Sequence, residues 1–352
     1  MSNLNPKTTP KSLGYRMPAE WEPQTAIWLS WPYNEDTFGS FIEEVQEIFV
    51  QFIQALHKGQ RICLLVNTPS LMEKAKQKLQ DNHINLGQID FYTIPNVDVW
   101  FRDYGPTFVV NSKNKSPLAM VKWIFNAWGD KYDDLKLDNR IPYDMNERLG
   151  VPMFETGIVL EGGSIDVNGT GTLLTSEQCL LNKNRNPQLS KEVIENYLKE
   201  NLNLSKVLWL KEGVAGDDTD GHIDDIARFV NKNTVLCTYE EDPADDNYEP
   251  LKQNYELLRT MTIEDGTPIN VIKLPMPGPV YLDGQRYPAS YANFYIGNDA
   301  VVVPIFGHAN DQKALDIIQK VFPTRKVVGI NCTVLVYGYG TLHCSSQQQP
   351  AA

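Results

Sequence analysis

The chain has 352 residues, of which 42% are hydrophobic, 22% charged and 10% aromatic. This composition excludes a collagen, a coiled coil and an intrinsically disordered chain. The formal net charge is −12 at pH 7, and lysines and arginines form no long basic stripe, so we expect no nucleic-acid partner. An acidic protein favours cationic small molecules instead.

The start of the chain reads MSNLNPKTTPKSLG and lacks the apolar core of a secretory signal. We predict a disordered tail over residues 1–14 and a single domain over residues 15–352. No later stretch approaches the ~20 apolar residues of a membrane helix, so we expect no membrane partner. The five cysteines are an odd number without a CxxC pair, which favours free thiols and a cytoplasmic location.

Apolar residues recur at helical spacing in five segments, most clearly over residues 41–57. A short apolar strand follows each of them. The predicted helices cover residues 41–57, 70–80, 190–201 (with Ser190 as the N-cap), 250–261 and 311–322. The predicted strands cover residues 61–66, 88–93, 206–210, 270–274 and 326–330.

Four further segments read as two strands joined by a tight turn that begins with Asn or Gly, as hairpin turns prefer. Polar residues precede these hairpins at intervals of 58, 61 and 71 residues, and a cysteine takes the matching place in the last segment. The residues are Asp103, Glu161, His222 with Asp224, Asn293 and Cys344.

The recurring unit of a hairpin, a helix and a further strand favours a ring of blades over one open sheet. We expect the C-terminal strand to pair with residues 25–31 and close the ring. Equivalent strand starts would then converge on a central pocket. The predicted neighbours in that pocket are Asp103, Glu161, His222, Asp224 and Cys344.

Cys344 lies in YGYGTLHCSSQQQP, where Gly338 and Gly340 permit close approach to a ligand. It is a candidate catalytic thiol, and a buried structural cysteine is the alternative. His222 stands two residues before Asp224, so both side chains would lie on one face of a strand. A metal site needs three or four ligands, and no HExxH or HxH motif occurs, so we expect no metal.

Asp103 lies among aromatic residues in VWFRDYGPTF, and a buried carboxylate there needs a partner. Either Arg102 pairs with it, or it meets a cationic ligand in a pocket with aromatic walls such as Trp100. Glu161 ends an apolar run before two glycines, and a solvated turn acid is the alternative for it. A thiol and an imidazole alone would suit acyl transfer, whereas three added carboxylates suit a planar guanidinium.

Seven segments, in order, resemble the agmatine deiminase and bacterial-type peptidylarginine deiminase family of the guanidino-group modifying superfamily. They read MPAEWEPQTAIWLSWP, WFRDYGPTF, LEGGSI, GTLLTSEQCLLNKNRNP, TDGHIDD, ASYANFYI and LHCSSQQQP. The resemblance covers about residues 14–350. It implies a five-bladed pseudo-symmetric α/β propeller around a central active site. It also implies hydrolysis of a guanidinium to a ureido group and ammonia without a cofactor.

Motif positions in that family imply individual roles. Cys344 resembles the nucleophile, His222 the acid and base, and Glu161 the acid that orients the histidine. Asp103 and Asp224 resemble the groups that hold the substrate, beside the aromatic wall that includes Trp100. The implied reaction converts agmatine to N-carbamoylputrescine and ammonia through a covalent thiouronium on cysteine, as in polyamine (putrescine) synthesis. The resemblance alone favours a homodimer.

The sequence departs from the family just before the nucleophile. Many agmatine deiminases read GGGNIHC there, whereas this chain has Tyr339 and Thr341 at two of those positions. Free arginine or peptidylarginine therefore stay open as substrates of the same chemistry. Two functions of other kinds also stay open. One is a noncatalytic propeller that binds partners through its rim, and the other is transfer of the amidino group to another amine.

Overall fold

The computed structural model describes residues 8–352. Its strands are β1 (Gln24–Ser30), β2 (Arg61–Val66), β3 (Ile89–Thr93), β4 (Thr107–Val110), β5 (Leu118–Ile124), β6 (Met153–Val159), β7 (Asp166–Val167), β8 (Thr172–Ser176), β9 (Lys206–Leu210), β10 (Ala227–Asn231), β11 (Thr234–Tyr239), β12 (Asn270–Pro275), β13 (Val280–Leu282), β14 (Gln285–Tyr287), β15 (Tyr295–Ile296), β16 (Ala300–Ile305), β17 (Lys326–Asn331) and β18 (Ser346–Pro350). Its α-helices are α1 (Glu35–Phe38), α2 (Ile42–Leu56), α3 (Pro69–Asp81), α4 (Phe101–Tyr104), α5 (Ala127–Asp130), α6 (Ile141–Leu149), α7 (Glu177–Leu180), α8 (Lys191–Leu202), α9 (Tyr248–Leu258) and α10 (Asp311–Val321). Short 3₁₀ helices cover Lys11–Leu13, Gly39–Phe41, Leu86–Gln88, Asp134–Arg140, Gly162–Ser164, Ile223–Asp225 and Leu335–Gly338.

Five separate sheets share one topology, in which an antiparallel pair is followed by a strand in parallel pairing. The sheets are β4–β5–β6, β7–β8–β9, β10–β11–β12, β15–β16–β17 and β18–β1–β2–β3. A helix connects the parallel strands because a tight turn cannot join them. The connecting helices are α6, α8, α9 and α10, with α2 and α3 in the last sheet. The α/β class is therefore confirmed, and the hairpin β13–β14 stands apart.

The predicted helices and strands are all present, with some of their ends shifted. Ser190 caps α8, since its Oγ accepts a hydrogen bond from the Val193 N–H at 3.4 Å. The four predicted hairpins are also formed. Sequence analysis missed α6 and β6, the hairpin β13–β14 and the four-residue helices α1, α4, α5 and α7. The strand β6 reads MFETGIV, in which polar residues and Gly157 interrupt the apolar run that would signal a strand.

The strand β1 joins the two ends of the chain in one sheet, as predicted. It pairs with β18 in antiparallel fashion, with Ile27 opposite Gln348. The Trp28 indole N–H donates to Gln349 Oε1 at 2.9 Å. On its other edge β1 pairs in parallel with β2. This pairing places the segment before β18, which ends in Cys344, beside segments from the start of the chain.

The predicted tail differs from the structure where the two can be compared. Residues 1–7 lie outside the described residues. Over the rest of the predicted tail, Lys11–Leu13 form a 3₁₀ helix rather than a disordered segment. Lys11 Nζ and Thr9 Oγ1 both bind the Glu200 carboxylate on α8, at 3.1 and 3.2 Å. These contacts attach the segment to α8, and its own composition gives no sign of them.

The buried face of α2 belongs to the largest hydrophobic core, and the helix contacts β16 and β17. Its fully enclosed side chains are Val45, Phe49, Phe52 and Ile53. None of the helices in residues 8–352 has the length and apolar character needed to cross a lipid bilayer.

Phe49→Ala is expected to lower the free energy of unfolding by about 3–5 kcal/mol, because the lost ring leaves a cavity in this core. Chemical denaturation monitored by circular dichroism measures the change. Gln51→Ala is the matched control, since Gln51 is exposed on the same helix and should change the value by less than about 0.5 kcal/mol. Equal effects of the two substitutions would contradict the assignment of this face to the core.

Candidate active site

The segment before the first strand of each sheet carries a polar side chain. Asp103 lies on α4 before β4, and Glu161 precedes β7. His222 and Asp224 precede β10, and Cys344 precedes β18. All five side chains are buried. The structure brings them together, with contacts of 3.7 Å between His222 and Asp103 and between Asp224 and Cys344.

A cavity of about 690 Å³ lies beside Cys344, Asp103 and Trp100. Further aromatic side chains line it, namely Tyr33, Trp128, Tyr132, Tyr337 and Tyr339. So do six aspartates, namely Asp36, Asp98, Asp103, Asp133, Asp134 and Asp218. Among the described residues no lysine or arginine lines it. The cavity therefore suits a positively charged ligand that also has apolar surface.

Cys344 lies between an amide and a carboxylate. Its Sγ accepts a hydrogen bond from Asn293 Nδ2 at 3.0 Å, and Asp224 Oδ2 lies 3.7 Å away. Burial raises the pKa of the thiol well above its ordinary value, and the carboxylates of Asp224, Asp225 and Asp103 raise it further. The thiol is therefore protonated unless a cation is bound nearby.

His222 is fully buried, and neither ring nitrogen has a hydrogen-bond partner among the described residues. Nδ1 lies 3.7 Å from Asp103 Oδ1. A ring nitrogen, a Glu161 carboxylate oxygen and the Cys179 thiol lie within 4.8 Å of one another. Burial alone would lower the pKa of His222, but the Asp103 carboxylate and the Cys179 thiol outweigh burial and raise it well above its ordinary value. The ring is therefore held in the form that donates a proton.

The prediction that His222 and Asp224 lie on a strand is wrong. His222 precedes the 3₁₀ helix Ile223–Asp225, and β10 begins only at Ala227. Gly221 has a φ of 89°, a left-handed conformation that turns the chain there. Both side chains nevertheless reach the site, since His222 Nδ1 lies 3.7 Å from Asp103 Oδ1 and Asp224 Oδ2 lies 3.7 Å from Cys344 Sγ.

Glu161 is fully buried, which excludes the alternative of a solvated turn acid. Its Oε1 accepts a hydrogen bond from Arg185 Nε at 2.7 Å. Its Oε2 has no hydrogen-bond partner within residues 8–352. Arg185 also pairs with Asp220 Oδ2 at 2.6 Å. The arginine therefore fixes one oxygen of Glu161 and leaves the other free near His222.

Gly163, the second glycine after Glu161, leaves room for two candidate residues. Its N–H donates to Asp103 Oδ1 at 3.0 Å. A Cβ at this position would lie 2.5 Å from His222 Nδ1 and 2.9 Å from Asp103 Oδ1. No side chain fits there without moving the histidine or the carboxylate.

Asp103 accepts a second hydrogen bond from the Trp128 indole, at 2.9 Å from Oδ2. Burial raises the pKa of Asp103 to about 6, although His222 opposes that rise. The alternative pairing with Arg102 is not formed. Arg102 Nη1 donates to Gln348 Oε1 at 2.7 Å, and Arg102 Nε donates to the His343 carbonyl. No arginine in the described part of the chain therefore neutralises Asp103, which stays available for a cationic ligand.

Trp100 forms a wall of the cavity against the segment that precedes Cys344. A Cβ on Gly338 or on Gly340 would lie 2.6 Å from the Trp100 ring. Phe38 also packs against the indole, with ring centroids 6.0 Å apart. The two glycines thus let the backbone approach the aromatic wall, while the expected close approach to a ligand stays a prediction.

Two further residues of the site were missed by sequence analysis. Asn293 was noted only for its place in the repeat, yet its Oδ1 accepts a hydrogen bond from Thr341 Oγ1 at 2.7 Å and its amide reaches Cys344. Cys179 was not among the candidate residues, yet it lies beside His222. The repeat could have signalled Asn293, whereas no local pattern marks Cys179.

Within residues 8–352, buried donor groups meet in two sets of three whose atoms lie within 4.8 Å of one another. One set is Glu161, Cys179 and His222, and the other is Asp224, Asp225 and Cys344. Three such donors are enough to hold an ion. The expectation that the protein needs no metal therefore stays a prediction.

Comparison with known proteins gives a consistent result. A family model described as Porphyromonas-type peptidyl-arginine deiminase matches residues 16–350. The agmatine deiminase of Medicago truncatula is 38% identical over 376 residues, covering 98% of this chain and 99% of that protein. The solved structure of the agmatine deiminase of Enterococcus faecalis has a TM-score of 0.89 and 37% identity, covering 97% of this chain and 98% of that chain. A C. jejuni agmatine deiminase variant solved with substrate bound has a TM-score of 0.87 and 33% identity, covering 96% of both chains.

Proposed function

Because the chain belongs to the Porphyromonas-type peptidyl-arginine deiminase family, as its seven motifs predicted, we propose that it is an agmatine deiminase. It would hydrolyse agmatine to N-carbamoylputrescine and ammonia. The cavity is the observation that carries the choice of substrate. Agmatine has a guanidinium, an ammonium and no carboxylate, and the cavity is lined by six aspartates with no described lysine or arginine. A free arginine would bring a carboxylate to this acidic lining, where Lys131 and Lys136 are already paired with aspartates.

The proposal includes the five-bladed pseudo-symmetric propeller. Five sheets of one topology support it. So does the equivalent position of the site residues, each just before the first strand of a sheet. Blades around one axis would explain why residues far apart in sequence meet at one cavity.

Substrate binding would begin at the carboxylates. Asp103 and Asp224 would accept N–H groups of the guanidinium, while Trp100 covers a face of the planar cation. The positive charge offsets the carboxylates that keep the Cys344 thiol protonated, so the thiol releases its proton to solvent and becomes a thiolate. Binding would therefore activate the nucleophile.

The chemical steps would then follow. The Cys344 thiolate attacks the guanidinium carbon, and the His222 imidazolium protonates the departing nitrogen, which leaves as ammonia. A thiouronium remains on the sulfur. Neutral His222 takes a proton from water as the water oxygen attacks the same carbon, and cleavage of the carbon–sulfur bond releases the ureido product, a proton and the thiolate. Glu161, fixed by Arg185, would orient His222 throughout. These steps need no cofactor.

Product analysis tests the proposal. Purified protein is incubated in parallel with agmatine, arginine and a blocked arginyl peptide, and ureido product and ammonia are measured. Turnover of agmatine in preference to the other two is expected. Preference for arginine or the peptide would contradict the proposal that agmatine is the substrate. An absence of turnover with all three would favour a noncatalytic binding protein. A product formed only when a second amine is added would indicate amidino transfer.

The pH dependence of kcat/KM should follow the ionisation of the Asp103 carboxyl group. Its pKa is raised to about 6 by burial, and only the carboxylate can bind a guanidinium. As the pH falls through about 6 the group takes up a proton, so kcat/KM for agmatine should fall and approach a tenfold loss per pH unit below it. Steady-state kinetics between pH 5 and 8 measure this. Asp166→Asn, which removes another buried carboxylate with a pKa of about 6, should keep the acid limb, and a flat profile would contradict the assignment.

We also propose a cytoplasmic location and a homodimer. All five cysteines are free thiols, which supports a reducing compartment. The homodimer rests on the resemblance, and sedimentation equilibrium of the purified protein tests it.

A further inference from the structure

His343 lies directly before Cys344 and between two buried carboxylates. Its Nδ1 is 2.7 Å from Asp224 Oδ2, and its Nε2 is 2.8 Å from Glu20 Oε2. All three side chains are at least nine-tenths buried. The mechanism above uses Asp224 but neither Glu20 nor His343, although both belong to motifs that carried the resemblance.

The geometry of this contact places a carboxylate oxygen at hydrogen-bond distance from each ring nitrogen. An ionised carboxylate only accepts hydrogen bonds, so each ring nitrogen that faces one must donate. Neutral imidazole has one N–H, and two donations therefore require the imidazolium. Burial alone would raise the pKa of both carboxyl groups, but cationic partners outweigh it. For Glu20 these partners are Arg228, His343 and Arg102, and for Asp224 the main one is His343.

This contact also fixes the orientation of Asp224. His343 occupies Oδ2, whereas Oδ1 is buried and has no hydrogen-bond partner among the described residues. Oδ2 lies 3.7 Å from the Cys344 thiol. The carboxylate therefore lies beside the nucleophile through Oδ2 and keeps its other oxygen, Oδ1, open to an N–H of a ligand.

Glu20 is itself held firmly. Its Oε1 accepts the Ile296 N–H at 2.6 Å, and its Oε2 accepts from Arg228 Nη2 at 2.8 Å. Arg228 in turn pairs with Asp166 at 3.2 Å. The histidine is thus anchored on the side away from the cavity by an acid from the start of the chain.

We propose that Glu20 and His343 form a positioning pair that holds Asp224 ionised and turned towards the guanidinium of the substrate. This inference rests on the proposed function for the identity of that guanidinium. Neither residue touches the substrate, so both act through Asp224. Their loss should weaken binding of guanidinium compounds more than it slows the chemical step.

Binding to a Cys344→Ser background separates this role from turnover. Calorimetry with agmatine and with methylguanidine gives Kd for the Cys344→Ser protein, which is the parent. The same measurement is made on the parent that also carries Glu20→Gln or His343→Gln. Because each change weakens a charge-assisted contact behind Asp224, Kd should rise about tenfold or more. The double variant should show no further rise, as expected for residues that act as a unit. With Cys344 intact, KM should rise more than kcat falls.

Asp166→Asn is the control, since it disturbs the same buried ion network without touching His343. It should lower the melting temperature and leave Kd close to that of the parent. The proposal is overturned if Glu20→Gln leaves Kd unchanged, or if Asp166→Asn raises Kd equally. Should His343→Gln fail to fold, Glu20→Gln decides alone. If the wild type turns over no agmatine but Glu20→Gln still weakens methylguanidine binding, the proposed function fails and the positioning pair stands.

Discussion

Cys344→Ser is expected to reduce turnover of agmatine by about 10³-fold or more, because a serine hydroxyl is far harder to ionise than a thiol and the neighbouring carboxylates are too weakly basic to remove its proton. His222 cannot serve, since its pKa is raised and the ring already carries a proton. Ammonia release under saturating agmatine measures kcat. Substrate binding should persist, because Asp103 and Asp224 are unchanged.

The matched control is Cys332→Ser, which makes the same change at another buried thiol whose pKa burial alone raises. It should keep nearly full activity. A haloacetamidine should alkylate Cys344 selectively, since its amidinium charge can meet the carboxylates around that thiol and favour the thiolate. Equal labelling of the five cysteines, or activity retained by Cys344→Ser, would exclude Cys344 as the nucleophile.

Gly163→Ala is expected to lower kcat/KM by about 10²-fold, although it adds only one methyl group. The new Cβ would lie 2.5 Å from His222 Nδ1 and 2.9 Å from Asp103 Oδ1, and displacement of reacting groups by about 1 Å has effects of this size. The φ of Gly163 is not in the left-handed region, so the loss would come from crowding rather than from backbone strain. Steady-state kinetics measure the loss of activity, and a thermal melt measures any loss of stability separately.

Gly87→Ala is the control for that substitution. Gly87 is exposed, also lacks a positive φ, and its added Cβ would meet only the side chain of Asn85. This variant should behave as the wild type. If Gly163→Ala were equally active, the close packing of Gly163 against His222 would have no part in catalysis.

The sequence by itself determined the repeated unit and the chemical groups. Helical spacing marked α2 over nearly its full length, and turn residues marked four hairpins, because both signals depend on neighbours within a few positions. The interval between units then indicated that Asp103, Glu161, His222 and Cys344 occupy equivalent places. Sequence order could supply this much because the unit repeats along the chain.

The tertiary structure decided which groups touch, since such contacts join residues that lie far apart in sequence. Arg102 was a candidate partner for Asp103, its neighbour, yet it binds Gln348. Glu20 meets His343 from the other end of the chain. Such pairings depend on how sheets pack and on which buried charges need compensation. No local pattern encodes that information, so only the folded chain shows that Asp224 lies beside the thiol and that His343 occupies one of its oxygens.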